Sequence, residues 1–129
     1  MAGSMSDFLE LELLDHSLGT ASWTMPVTVY LALFTDDPTD AGTGTEVSGG
    51  SYAREAAAFD AAAAGATANT SNIPFTTATG SWGTISHWGI YDAATVGNLL
   101  WHGDFDVGKA IGSGDTAQVN AGELDITLA

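Results

Sequence analysis

The segment that most constrains the fold is the run of residues 27–34 (VTVYLALF), which is apolar on both of its faces. β-Branched and aromatic residues dominate the run, and these residue types favour strands. A strand that is apolar on both faces is typical of a sheet interior that is covered on both sides. The run therefore predicts a central strand. The Asp, Pro and Gly residues of 35–45 predict an exposed loop directly after it.

A second strand pattern covers residues 99–105, where apolar and polar side chains alternate. One face carries Leu99, Trp101 and Phe105, and the opposite face carries His102 and Asp104. Alternation with a period of two is the pattern of a half-buried strand.

The remaining strand patterns are short and are separated by turn signals. They cover residues 73–75, 84–91, 116–120 and 123–128. The alanine-rich stretch of 52–64 is ambiguous, because alanine is the strongest helix former. We predict a strand over residues 52–59, since turn-rich segments flank it and context often overrides propensity.

About eight short strands predict an all-β fold, a single-domain β-sandwich that is jelly-roll-like and carries a short N-terminal α-helix. A chain of 129 residues suits one domain. We assign residues 6–129 to this domain and residues 1–5 to a flexible N-terminal arm or the remnant of a tag.

The helix is predicted at residues 7–18. Ser6 can cap it, Asp7 and Glu10 suit the positive end of its dipole, and Gly19 can stop it. An apolar stripe runs along it at spacings of three and four: Phe8, Leu11, Leu14 and Leu18. Packing into the core is the more common role of such a stripe. The alternative is an interface with a partner, for which these four residues are the candidates.

The charge balance excludes one class of partner. Sixteen acidic residues face one arginine, Arg54, and one lysine, Lys109, which gives a formal net charge of −14. Binding to nucleic acid needs several Lys or Arg contacts to phosphate, so direct DNA or RNA binding is not expected. The longest apolar runs are far shorter than the roughly 18 residues of a membrane helix, so we also expect no membrane partner.

The residues that could carry chemistry form no recognisable motif. The three histidines, His16, His87 and His102, lack metal-ligand spacing, and the cysteine count is zero. The acidic loop 36–40 lacks the ligand pattern of a calcium-binding EF-hand. Asp104 and Asp106 would share a strand face with no sign of a substrate cleft. We therefore assign no catalytic, cofactor-binding or metal-ligating residue, expect no cofactor and expect no enzyme activity.

Several blocks of the sequence are distinctive when taken in order. They are SDFLE at 6–10, LLDH at 13–16, VYLALFT at 29–35, TEVSGGSYAR at 45–54, GSWGT at 80–84, HWGIYDA at 87–93 and GSGDT at 112–116. Together they resemble a family of small virion proteins of tailed phages that are called tail fibre proteins or head decoration proteins. The alanine-rich stretch after Arg54 departs from the more β-branched pattern of that family.

The resemblance implies a structural component of the virion without catalytic activity. We expect a capsid decoration (cement) protein on the outer surface of the head, which stabilises the shell through protein–protein contacts. Its partner would be the major capsid protein of the same virus, and a homo-oligomer, with a trimer suiting a quasi-equivalent shell, is expected. The alternative is a tail-associated fibre, spike or adaptor protein. A carbohydrate-binding module is the more remote alternative.

Overall fold

The strands that the turn spacing predicts are present in the structure, a computed structural model that describes residues 3–128. Nine strands and one helix lie in this part of the chain. In chain order they are β1 (Ser4–Met5), α1 (Asp7–Ser17), β2 (Val29–Phe34), β3 (Glu55–Ala57), β4 (Ala66–Ala68), β5 (Ile73–Pro74), β6 (Gly83–Tyr91), β7 (Leu99–Ile111), β8 (Gln118–Val119) and β9 (Asp125–Thr127).

The strands form two layers. Five of them make an antiparallel sheet in the order β1-β7-β6-β2-β3, and the other four make two ribbons, β4 with β9 and β5 with β8. Buried side chains of the ribbons, such as Ile73, Val119 and Ile126, share one core cluster with Leu31 and Ile90 of the sheet. The predicted all-β fold with one short N-terminal helix is therefore confirmed.

The second layer differs from that of a jelly roll, which has two larger sheets. Its strands are only two or three residues long. Pro74 lies within β5 and lacks the N–H that a longer ladder would need. The layer is thus a pair of ribbons.

β2 is the predicted core strand, and both of its faces are covered. Leu31 and Leu33 belong to the main core cluster, whereas Ala32 and Phe34 belong to a second cluster on the opposite face. The strand begins at Val29, where its pairing with β3 begins, which is later than predicted, and Val27 is fully exposed.

The prediction that Leu99 shares a face of β7 with Trp101 and Phe105 is wrong. Leu99 pairs with Tyr91, but Trp101 pairs with Ile90, so the pairing skips Leu100. An extra residue of this kind is a β-bulge, which reverses the alternation of faces. Leu99 therefore packs in the second cluster, and Trp101 packs against the main core.

The alanine-rich stretch is extended, as predicted, but only partly paired. β3 covers three residues, and two isolated bridges, Phe59 to Asn69 and Ala63 to Ala66, continue the contact beyond it. Ala64 and Gly65 form the turn with φ values of 52° and 75°. Tertiary pairing thus outweighs the helix propensity of alanine.

The start of the chain is part of the sheet from Ser4 onward. Ser4 pairs with His102 and Met5 with Trp101, so these two residues do not belong to a flexible arm. Gly3 precedes β1, and Met1 and Ala2 of the predicted arm lie outside the described residues. No helix within residues 3–128 is long and apolar enough to cross a bilayer.

Candidate assembly interface

Helix α1 is held to the sheet by its first turn. Ser6 is the N-cap, as predicted: its hydroxyl accepts the N–H of Leu9 at 3.2 Å and donates to the carbonyl of Leu99. The N–H of Asp7 donates to the carbonyl of Asp40 at 2.9 Å. Leu9 is the one buried residue within the helix. The anchored side of α1 is therefore small.

The predicted apolar stripe faces mostly outward, so the expectation that it packs into the core is wrong. Leu11, Leu14 and Leu18 are 65%, 57% and 75% exposed, and Phe8 is partly buried. The reason is that Leu9, on another side of the helix, is the residue that the helix buries. The stripe remains a candidate interface with exposed side chains.

The segment after α1 adds to this exposed surface. The backbone N–H of Trp23 donates to Nδ1 of His16 at 3.1 Å, which ties the segment to the end of the helix. Met25 and Val27 follow, and they are 76% and 100% exposed. Val27 was predicted to lie in the core strand, and Met25 belongs to no strand or helix pattern, so neither residue was predicted to be part of an interface.

We call Leu11, Leu14, Leu18, Met25 and Val27 the N-terminal apolar surface. They are five of the eight large hydrophobic residues that are exposed in residues 3–128, and they lie within 17 residues of chain. Single exposed apolar residues are ordinary, whereas five within one short segment make that segment a candidate interaction site.

Acidic side chains surround this surface. Asp7, Glu10, Glu12 and Asp15 lie on α1, and the helix carries no lysine or arginine. Each copy of the chain has a formal net charge of −14, so two copies repel each other electrostatically. Contact between copies should therefore strengthen with salt, which screens exposed charges.

A second site, centred on the single arginine of the chain, stabilises the domain from within. Arg54 donates from Nε and Nη2 to the two carboxylate oxygens of Glu46 at 2.9 and 2.8 Å. The two side chains are 8% and 24% exposed. Tyr52 donates its hydroxyl to Glu46 at 2.7 Å and accepts the N–H of Leu33 at 3.0 Å. We call Glu46, Tyr52 and Arg54 the clasp.

Arg54 also holds the loop between β6 and β7. Its Nη1 donates to the carbonyls of Ala93 and Val96 at 3.0 and 2.7 Å, and its guanidinium carbon lies 3.7 Å from the ring centre of Tyr91. Burial disfavours the charged guanidinium, but the hydrogen bonds and the charge of Glu46 outweigh it and raise the pKa of Arg54. The cation is therefore retained.

The clasp gives a pH dependence at the alkaline end. Burial raises the pKa of the Tyr52 hydroxyl above its ordinary value of 10.0, and burial also raises that of Tyr91. Above about pH 10 the unfolded chain releases a proton that the folded protein retains, so the free energy of unfolding falls as the pH rises. We expect Tyr52 to lower the free energy of unfolding by at most about 1.4 kcal/mol per pH unit above about pH 10. Below about pH 10 this contribution of Tyr52 is fully present.

Urea unfolding from about pH 8 to about pH 11 measures this effect. The matched variant is Tyr52→Phe, which lacks the ionisable hydroxyl and keeps the ring. Its stability should decline less with pH than that of the wild type. An equally steep decline in both proteins would contradict the assignment to Tyr52.

Trp82 requires a glycine at position 50, which lies between Glu46 and Tyr52 of the clasp. Gly49 and Gly50 have φ values of 75° and 56°. A Cβ on Gly50 would lie 2.9 Å from the indole nitrogen of Trp82, which donates to the Gly50 carbonyl at 2.9 Å. Trp82 also contacts Tyr52 and Phe75 edge to face, with ring centres 5.4 and 6.3 Å apart. The block TEVSGGSYAR thus forms one structural unit with Trp82.

The clasp was missed in the sequence analysis, although a signal for it exists. A lone arginine in a chain with sixteen acidic residues is expected to form an ion pair, and Glu46 lies in the same sequence block. The partner among sixteen candidates could not be chosen from local pattern alone.

The three histidines lie at separate places. Nδ1 of His16 accepts the N–H of Trp23, and Nδ1 of His87 lies 2.8 Å from the hydroxyl of Ser86. Nε2 of the buried His102 lies 2.7 Å from Asp40, which ties the acidic loop to β7.

The other acidic side chains of this loop also bond within it. Asp36 accepts the N–H and the hydroxyl of Thr45, and Asp37 accepts the N–H of Thr39. Within residues 3–128 no group of His, Asp and Glu side chains is arranged to hold a metal ion.

The comparison with known families agrees with the resemblance. Residues 4–127, almost the whole chain, match the family described as Podophage GP4 fiber I protein gp80. No curated protein matches the chain. The expected membership of a family of phage virion proteins is confirmed. The chain therefore belongs to the Gp80 family of podophage fibre proteins and is a structural protein of the phage virion.

Proposed function

We propose that the protein is a component of the tail fibre of a tailed phage, and that it acts by protein–protein contact. The observation that carries this proposal is the family match, because the family is described as a fibre protein and the match extends over residues 4–127. This description favours a position on the tail. The position expected from the sequence was the head, with the tail as the alternative.

The structure suggests how such a domain would be attached. The N-terminal apolar surface lies on α1 and the segment after it, and the helix is held to the sheet through Ser6, Asp7 and the buried Leu9. The clasp and the two-layer core keep the rest of the domain fixed. A neighbouring fibre subunit would therefore meet a rigid β-domain through α1 and the segment that follows it.

Localisation tests the position in the virion. Cryo-electron microscopy of the phage that encodes this chain would be used to fit the nine-stranded domain into the particle density. We expect density for it on or beside the tail. Density at regular positions over the head shell, with none at the tail, would overturn the proposal in favour of decoration.

A variant tests the proposed contact. Replacing Leu11 and Leu14 with serine removes apolar surface that would be buried on assembly. Burial of a leucine side chain contributes roughly 1.5–3 kcal/mol, so the double change should reduce incorporation into virions on the order of a hundredfold. Incorporation is measured by quantitative immunoblotting of purified particles.

The matched control is Leu128→Ser, because Leu128 is 53% exposed and lies outside the N-terminal apolar surface. All of these side chains are exposed, so the variants should unfold at the same urea concentration as the wild type. Normal incorporation of the double variant would show that α1 is not the contact.

A further inference from the structure

The second half of β7 departs from regular pairing. His87 of β6 pairs with Asp104, but the next pair is Ile85 with Lys109. Four β7 residues, 105–108, therefore lie opposite the single β6 residue Ser86. Such irregular strand segments are over-represented at sheet edges and beside functional sites.

This half of β7 also has a free outer edge. β1 is the outer neighbour of β7, and it pairs only with Trp101 and His102. From Gly103 to Ile111, no strand of residues 3–128 pairs with this edge. A strand edge with unpaired N–H and C=O groups can accept an added strand.

A groove lies beside this edge. It has a volume of about 870 Å³ and runs between the second half of β7 and the segment that holds β8 and the following turn. Core side chains reach it from both layers, among them Phe75, Ile85, Phe105 and Val119. The free part of β7 runs beside six residues of β6, residues 83–88, which corresponds to roughly 20 Å at about 3.3 Å per residue.

The charges at the groove define its occupant. Asp106, Asp115, Glu123 and Asp125 line it, and Lys109 is the one basic residue that does. Within residues 3–128 the carboxylates of Asp106 and Asp125 form no hydrogen bond with another side chain, and neither is in an ion pair. A basic segment would be attracted to this rim, whereas a second copy of a chain with a net charge of −14 would be repelled.

We propose that the groove binds an extended segment of a partner protein that alternates apolar and basic side chains. The segment adds as a strand along the free edge of β7, its apolar side chains lie against the groove floor, and its basic side chains meet the acidic rim. This site is separate from the N-terminal apolar surface and does not depend on whether the protein lies on the tail or the head.

Three synthetic peptides test the proposal. They are eight-residue peptides of alternating Val and Lys, alternating Ser and Lys, and alternating Val and Glu, each with a fluorescent label for anisotropy with the full chain. The Val–Lys peptide should bind at least about tenfold more tightly than either of the others, because only it supplies both apolar burial and positive charge.

Two kinds of variant locate the binding. Ala110→Trp places a large ring at the groove, and the double change Asp106→Lys and Asp125→Lys reverses the rim charge. All three positions are exposed, so the protein should remain folded. Each variant should weaken Val–Lys binding about tenfold or more.

The controls carry the same chemical changes away from the groove. They are Ala61→Trp and the double change Asp15→Lys and Asp60→Lys, at exposed positions that do not line it. Unchanged binding in the controls supports the proposal. Equal binding by the three peptides, groove variants that bind like the wild type, or controls that weaken binding as much as the groove variants would overturn it. Localisation of the protein in the virion is independent of all these outcomes.

Discussion

Replacing Glu46 with leucine should lower the free energy of unfolding by about 3 kcal/mol. The substitution leaves Arg54, whose side chain is 8% exposed, without the carboxylate that its Nε and Nη2 contact. Removing one partner of a buried ion pair is costly because the remaining charge has lost its compensation. Breaking a buried ion pair typically costs about 3–5 kcal/mol, and the partial exposure of Glu46, at 24%, places the expected effect at the low end of this range.

Urea unfolding of three proteins measures this effect: the wild type, Glu46→Leu, and the double variant Glu46→Leu and Arg54→Leu. Removing both charges leaves no uncompensated cation, so the double variant should regain part of the loss. Glu10→Leu, on the exposed face of α1, is the control for losing one acidic group and should change stability by less than about 0.5 kcal/mol. A Glu46 variant as stable as this control would show that the clasp contributes little.

Replacing Trp82 with alanine should cost about 3–5 kcal/mol. Trp82 is 4% exposed, and its ring joins the start of β6 to Phe75 of the ribbon layer and Tyr52 of the clasp. Its removal opens a cavity between the two layers and also leaves the Gly50 carbonyl with the N–H of Thr79 as its one remaining donor within residues 3–128. Because small domains are stable by only about 5–15 kcal/mol, this variant should lose a large fraction of its total stability.

Trp82→Phe separates the two contributions. It keeps an aromatic ring in place and removes one of the two hydrogen bonds to the Gly50 carbonyl, so it should cost about 0.5–1.5 kcal/mol, much less than the alanine variant. Trp23→Ala is a second comparison, because Trp23 is only partly buried and lies on the segment after α1. If Trp82→Ala were no more damaging than Trp23→Ala, Trp82 would not join the layers as described.

The elements that could be predicted are those decided by neighbouring residues in the chain. The N-cap of α1 depends on Ser6 and the N–H of Leu9, three residues away. The core strand depends on consecutive apolar residues. In both cases the signal lies within one turn or one strand, where propensity and pattern act directly.

The candidate sites depend on contacts between distant parts of the chain. The exposure of Leu11 and Leu14 follows from the way α1 lies on β7, through bonds such as that from Ser6 to Leu99, 93 residues away. A period of three and four identifies an apolar face but does not say what covers it. The apolar stripe could therefore be predicted from the sequence, but its orientation towards solvent could not.

By itself, the sequence determined the all-β class, the single N-terminal helix, the core strand and the virion family, because each is expressed in local pattern or in ordered blocks of residues. Only the tertiary structure decided that Leu99 faces away from Trp101, that Arg54 is clasped by Glu46, and that a groove lies beside β7. The physical reason is that a bulge, an ion pair and a cavity depend on contacts between segments that are distant in the chain. The local sequence pattern does not specify which distant segments come into contact.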